Sequence, residues 1–339
     1  MRPDLRFLAA ASLVLTTLSA RSGPVHAEAY SARHHGTELI IWNKGRIVWE
    51  TSRNGGSPHR DAEVYSITKS LSALATLQAA GRGEFSLDEP VSRTITEWEP
   101  DPRKRAITVR ALLAQTSGLA SGYDALYAKG LGNKEATATG MPAVAPAGTA
   151  FSYGPSHYEA LEVFVARRTR SPAGDLIDRS LLEPLGIRAA AWRKDRTGRR
   201  YFSAGAWLSA KDLLAIGHLI RRNGWQGIFS RIAPEMLREA LSGTAANPMY
   251  GLGFWLNRHA AKPDVQERDI EEALSAGLNR GQWGASCVSR AAPPDLVTMA
   301  GSRGQRVYIS RSRDLVIVRL GNGPGFRDPD FLSAYFARP

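Results

Sequence analysis

The stretch EVYSITKSLSALATLQAAGRG, residues 63–83, places Ser66 and Lys69 three residues apart where an extended segment turns into a helix. Positions i and i+3 share a helix face, so the Lys69 amine can reach the Ser66 hydroxyl. Serine is a poor nucleophile until a partner takes its proton. Lys69 is followed by small and apolar residues, which predicts partial burial. Burial disfavours the ammonium and leaves a neutral amine able to act as a base. The free N–H groups and macrodipole at the helix start favour negative charge developing at Ser66. The spacing alone decides nothing. With 28 Ser and 8 Lys in 339 residues, about 0.7 such pairs arise by chance. An N-capping serine would account for Ser66, but not for a lysine on the buried side.

Other candidate chemistry is weaker. Seven histidines show no metal-ligand spacing, so neither a metal nor another cofactor is implied, and His34-His35 reads as a solvated loop. Gly81-Arg82-Gly83 follows a helix instead of opening one after a strand, so no phosphate loop is implied. Glu271-Glu272 reads as a solvated helix face. Cys287 is the only cysteine, so no intramolecular disulfide exists and a small buried apolar role is expected. Trp207 and Trp255 read as core aromatics, with cleft lining as the alternative.

Several elements must position Ser66 and Lys69. Apolar runs Leu39–Trp42 and Arg46–Trp49 around Asn43-Lys44-Gly45 predict a hairpin. Three more strand-like runs, Leu296–Ala300, Arg306–Ile309 and Leu315–Leu320, lie near the other end, before a helical tail from Asp328 to Phe336. Between them the period is helical. Ile67, Leu71, Leu74 and Leu77 recur after Ser66, with Gly81 as the expected C-cap. Further helices are expected from Thr108 and over Tyr158–Arg167, Ala173–Leu182, Ala210–Arg222 and Ala233–Ala240. Lys129 to Ala147 reads as an ordered loop or lid, and His259 to Pro294 shows no clear period. Strands at both ends with helices between predict a discontinuous α/β domain, residues 28–65 and 200–339, interrupted by a mainly helical one, 66–199, that carries the nucleophile helix. A cleft between them is where binding sites favour forming.

The first residues set the compartment. Arg2 and Arg6 precede an apolar run from Phe7 to Ala20, and Val25-His26-Ala27 fits an A-x-A-like site. This predicts a signal peptide, residues 1–27, cut after Ala27, and a periplasmic or secreted protein with no stable membrane span. The formal charge is +12, and three Arg and one Asp in that segment leave +10 on the mature chain. The arginines are scattered without an aromatic-interleaved stripe, so the charge reads as solubility and attraction to an anionic envelope surface, not as nucleic-acid binding.

The motifs in order resemble the serine β-lactamase and penicillin-binding-protein superfamily, in its β-lactamase-like esterase and amide-hydrolase branch. SITKS resembles the nucleophile motif, and GRGEFSLDEPVSRTITEW followed by ITVRALLAQTSGL is similar to the stretch after the nucleophile helix. PAGTAFSYGPSHYEAL resembles the segment with the catalytic tyrosine, which falls on Tyr153. GAWLSAKDLLAIGHLI, YGLGFWL and MAGSRGQRVYISRSRDLVIVRLGN match later landmarks. The resemblance implies an antiparallel sheet built from both chain ends, flanked by helices, with an all-helical insertion. It also implies attack by Ser66 on a carbonyl and a proton shared by Lys69 and Tyr153. The backbone N–H groups of Ser66 and of Ser302, after Gly301, would form the oxyanion hole, with an acyl-enzyme released by water.

Two departures bear on substrate. Pro155 stands two residues after Tyr153, where the family's tyrosine motif usually places Asn or Ser, and proline donates no hydrogen bond, leaving Ser156 or His157 as replacements. Met299-Ala300-Gly301 lacks the cation that commonly helps bind a substrate carboxylate, for which Arg303 is the candidate substitute. GSRGQ, from Gly301 to Gln305, is similar to 6-aminohexanoate-dimer hydrolases and related carboxylesterases. The expected function is hydrolysis of a small-molecule carboxylic ester or small amide. The alternatives are a catalytically weak penicillin-binding-like sensor, or a D-amino-acid peptidase or low-activity β-lactamase.

Overall fold

A computed structural model of the chain describes residues 23–275 and 283–337, so the expected signal segment up to residue 22 lies outside the described residues. Helix α1 spans residues 23–33. Strand β1 (Gly36–Asn43) returns antiparallel as β2 (Arg46–Ser52). Between them Lys44 and Gly45 have φ of 47° and 91°, both positive, as the tight two-residue hairpin turn requires. Helix α2 (Ile67–Gly81), α3 (Pro155–Thr169) and α4 (Ala210–Arg221) follow. Strands β3 (Trp255–Leu256), β4 (Val297–Gly301), β5 (Gln305–Ser310) and β6 (Leu315–Gly321) lead to helix α5 (Asp328–Phe336). One antiparallel sheet runs β2-β1-β6-β5-β4-β3, so both chain ends build it and helices flank it.

The two-residue period of the strands sorts the core. Ile40, Val316, Val318, Val307 and Met299 join the core shared with α2 and α4. Their neighbours Leu39, Ile41, Leu315, Ile317 and Tyr308 face the opposite layer with Phe331 and Leu332 of α5. Tyr308 stacks on Phe331 at 5.6 Å between ring centroids. Helix α4 lies close on the sheet because Gly217 has no side chain. A Cβ there would sit 2.7 Å from Val316 Cγ1.

Three local expectations need adjustment. Helix α2 does end at Gly81, but the left-handed residue that stops it is Gly83, with φ of 77°. The Lys129–Ala147 stretch contains a helix, Lys134–Gly140, capped by Asn133, whose side chain accepts from the Ala136 N–H at 3.1 Å. Buried Lys134, not a periodic apolar face, anchors that helix. The helix expected over Tyr158–Arg167 begins at Pro155, because proline suits the first helical position, where an N–H would have no partner. Within the 259–294 stretch, Gln266–Glu267 and Ser286–Cys287 pair as short parallel strands, and Cys287 is buried as expected. Glu271 is half-buried in an ion pair with Arg306 at 3.1 Å, while Glu272 is solvated. No described helix is long and apolar enough to cross a membrane.

Candidate active site

Ser66 is the N-cap of α2, and its hydroxyl makes no capping hydrogen bond, which leaves the oxygen available. The preceding Tyr65 is left-handed, with φ of 46°. A tyrosine held there costs about 1–2 kcal/mol, and such outliers cluster where function demands them. The turn is fixed by Ile67 N–H donating to Val64 O at 3.1 Å and by the Thr68 hydroxyl donating to Tyr65 O at 2.6 Å.

One helical turn on, Lys69 is 1% exposed. Its Nζ donates to Ser66 Oγ at 3.1 Å and to Ser203 O at 2.9 Å. Burial pushes the amine down to about 7, opposed by the negative charge of Glu159. At neutral pH a large share of Lys69 is therefore unprotonated and able to accept a proton.

Tyr153 completes the group. Its ring stacks on Trp255 at 5.8 Å and 28°, meets Tyr250 edge-on at 6.0 Å, and lies 4.8 Å from Lys69 Nζ. Burial raises the phenol well above its ordinary value, Tyr250 and Tyr123 add to the rise, and the hydrogen bond with Ser66 opposes it. The phenol thus stays protonated and can donate. Trp255 packs in the core as expected, whereas Trp207 is 41% exposed and edges the cleft.

Gln115 positions that tyrosine. It is buried and left-handed, with φ of 56°. Its backbone carbonyl accepts from Ser152 N–H at 3.1 Å, its side-chain oxygen accepts from Gly154 N–H at 2.7 Å, and its amide donates to Tyr250 OH at 2.9 Å. Residues on both sides of Tyr153 are thereby pinned. The signal for Gln115 lay inside the ITVRALLAQTSGL run, but its spatial partner could not be read from it.

Neither candidate replacement for the function lost at Pro155 reaches Lys69. Ser156 Oγ donates to Ala120 O at 2.6 Å. His157 is enclosed between Ser117 Oγ at 2.8 Å and Ser152 O at 2.6 Å, and burial pushes it down to about 4, so it is neutral. Lys69 is steadied from another direction, by the Ser203 carbonyl. Glu159, fully buried on α3, fixes that segment by accepting from Ser203 N–H at 2.9 Å and from the Ser203 hydroxyl. Glu159 is held in turn by Lys134 Nζ at 2.8 Å, which also meets Glu162 at 2.7 Å. The sequence signal was two carboxylates three apart, Glu159 and Glu162, set among the buried apolar residues Tyr158, Leu161 and Val163.

The other wall is the turn after β4. Gly301 allows close approach, since a Cβ there would lie 2.3 Å from Val64 O, next to the Ser66 turn. Arg306 Nη1 donates to Gly301 O at 2.6 Å, and Arg319 Nη1 donates to Arg303 O at 3.1 Å and Gly304 O at 2.8 Å. Two buried arginines thus clamp the Ser302–Gly304 turn from below. Among the described residues the Ser66 and Ser302 amides donate to no backbone carbonyl. Arg303 is exposed and left-handed, with φ of 63°, and its guanidinium lies 5.6 Å from the Tyr65 ring centroid. Met299 is fully buried in the core with Val64 and Ile67 and offers the cleft nothing. A cavity of about 380 Å³ opens here, lined among others by Glu63, Tyr65, Trp207 and Arg303.

The family model for Beta-lactamase matches residues 25–338, and the chain belongs to that family. It is 30% identical to esterase EstB of Burkholderia gladioli over 206 residues, 52% of each chain, so the match spans about half the length of that relative. Among solved structures it resembles a protein described as a 6-aminohexanoate-dimer hydrolase from Bacillus anthracis, with TM-score 0.70 at 15% identity, covering 91% of this chain and 79% of that one. EstCE1, a hydrolase with promiscuous acyltransferase activity, aligns with TM-score 0.69 at 16% identity, covering 94% and 100%. These likenesses place the fold as β-lactamase-like.

Proposed function

We propose that the chain is a serine hydrolase that cleaves a carboxylic ester or small amide through an acyl-enzyme on Ser66. One observation carries this reading: a buried amine, poised near neutrality at about 7, lies 3.1 Å from an uncapped serine hydroxyl. Lys69 takes the Ser66 proton as Oγ bonds to the substrate carbonyl carbon. The carbonyl electron pair moves onto oxygen, facing the Ser66 and Ser302 N–H groups. Collapse of that oxyanion expels the alcohol or amine, which receives a proton through Tyr153, itself reprotonated from Lys69. Water then attacks the acyl-enzyme by the reverse relay and frees Ser66.

The likeness to esterase EstB supports the ester side of this reading. Arg303, at the rim beside Tyr65, supplies the cation for a substrate carboxylate that Met299 does not. We also propose export. Helix α1 crosses the expected cleavage point and Ala27 is buried in it, so sequencing the mature N-terminus separates cleavage after Ala27 from cleavage upstream of this packed helix.

A fluorophosphonate probe followed by peptide mapping tests the mechanism. The adduct is expected on Ser66 and absent in Ser66→Ala; folded wild-type protein that takes no label on Ser66 would sink it. Short-chain p-nitrophenyl esters, 6-aminohexanoate dimers, D-Ala peptides and nitrocefin then rank the substrates, with esters expected ahead of nitrocefin.

A further inference from the structure

A short β-hairpin lies apart from the catalytic residues. Trp225–Gln226 and Phe229–Ser230 pair antiparallel, and Gly227, with φ of 57°, opens the two-residue turn between them. Its base is fixed. Arg231 N–H donates to Gly224 O at 2.8 Å and the Gln226 side chain donates to Pro184 O at 2.9 Å, while Ile232 is buried. Its tip is apolar and bare: Trp225 is 40%, Phe229 59% and Ile228 84% exposed. Single exposed apolar residues are ordinary, but three within five positions form a patch that marks an interaction site.

The patch wears a basic collar. From Arg221 to Ile232 the chain has no acidic residue. Arg231 places its guanidinium 5.2 Å from the Phe229 ring centroid. Arg311 donates to Asn223 Oδ1 at 3.3 Å, and with Arg238 and Arg258 it lines an adjoining cavity of about 810 Å³. Among the described residues Arg222, Arg231, Arg238, Arg258 and Arg311 form no ion pair. Of the nearby acids, Glu183 and Glu235 are exposed, and two others are engaged. Asp314 pairs with Arg221, and Asp295 accepts from the Ser310 and Ser312 hydroxyls, each at 2.8 Å.

We propose that this hairpin docks the protein on a bilayer surface containing anionic lipid, with Ile228 and Phe229 entering the interface and the surrounding arginines meeting lipid phosphates. Apolar side chains ringed by guanidiniums are the composition that partitions into such an interface, where long arginines keep their charge at headgroup level. A second copy of this face is a poor partner, since it would bring the same unpaired guanidiniums together. A soluble polyanion would satisfy the arginines but leave Ile228 and Phe229 in water.

Co-sedimentation of the full chain with vesicles tests this, comparing phosphatidylcholine alone with phosphatidylcholine mixed with phosphatidylglycerol. Binding is expected only to the anionic vesicles and should weaken as salt rises. Ile228→Ser with Phe229→Ser should lower the partition coefficient roughly tenfold or more, and Arg222→Gln with Arg311→Gln should lower it and flatten the salt dependence. Both variants should keep wild-type ester turnover, which shows that they fold. Equal binding to both vesicle types, no binding, or an unchanged partition in the Ile228/Phe229 variant overturns the proposal. So does concentration-dependent dimerisation that this variant abolishes, or heparin binding as tight as vesicle binding that the variant leaves intact.

Discussion

Lys69 should be a stability burden kept for reactivity, and replacing it by methionine exposes the trade. An amine that ionises near 10.5 when free is held at about 7, so burying it protonated is disfavoured by about 5 kcal/mol at about 1.4 kcal/mol per decade. The sign follows from proton counting. Between about pH 7 and 10.5 the unfolded chain carries the proton and the folded chain does not, so wild-type stability rises with pH through that window. The cost borne by wild type is about 3 kcal/mol at pH 8, nearly 5 at pH 6 and under 1 at pH 10. Lys69→Met removes it and leaves the Ser203 carbonyl without its donor, a loss of about 1.5 kcal/mol. The variant should therefore be more stable than wild type by about 2 kcal/mol at pH 8 and about 3 at pH 6, with the order reversing above roughly pH 9.5. Urea unfolding at the three pH values measures this, and ester turnover should meanwhile fall by about a thousandfold. A stability difference that stays flat with pH would refute the claim that Lys69 is held neutral by burial.

Two further outcomes follow from the surroundings of Ser66. Glu159→Gln removes the negative charge that props up the Lys69 amine, so the acid limb of kcat/KM against pH should move to lower pH, while losing one partner of buried Lys134 costs about 2–3 kcal/mol of stability in thermal unfolding; an unmoved acid limb in folded variant would dismiss Glu159 as a tuning charge. Gly301→Ala puts a Cβ against Val64 O, at 2.3 Å before relaxation, and should lower kcat about a hundredfold through the displaced Ser302 amide, with KM changing little; wild-type kcat would show that this turn does not line the reaction site.

Much of the frame was legible because local period and turn chemistry agree with the tertiary answer. The alternation in β1 and β6 sorts their side chains to two layers, and Lys44-Gly45 supplies the positive φ its hairpin demands. Ser66 and Lys69 were legible because one helical turn brings them together. What escaped depends on partners far along the chain. The Lys69 amine meets the carbonyl of residue 203, Gln115 steadies residues 152, 154 and 250, and Arg319 holds the carbonyls of residues 303 and 304. No spacing rule reports such contacts. The helix Lys134–Gly140 escaped for the same reason, since its anchor is an ion pair made with α3 and not an apolar face.

These long-range contacts change what the departure at Pro155 means. Read as a motif, the missing Asn or Ser removes a side chain that would steady Lys69. In the folded chain Pro155 opens α3, and that helix carries Glu159 beneath the site. Glu159 grips the Ser203 amide and hydroxyl, Lys134 grips Glu159, and the Ser203 carbonyl receives the Lys69 amine. The steadying contact has passed from a side chain to a backbone carbonyl anchored by a buried ion cluster. A carbonyl accepts from the amine in either charge state, whereas a carboxylate in its place would hold the amine protonated and useless as a base. Setting Glu159 one hydrogen-bonded residue away therefore fixes the geometry while leaving the amine near neutrality, which is the condition a general base needs.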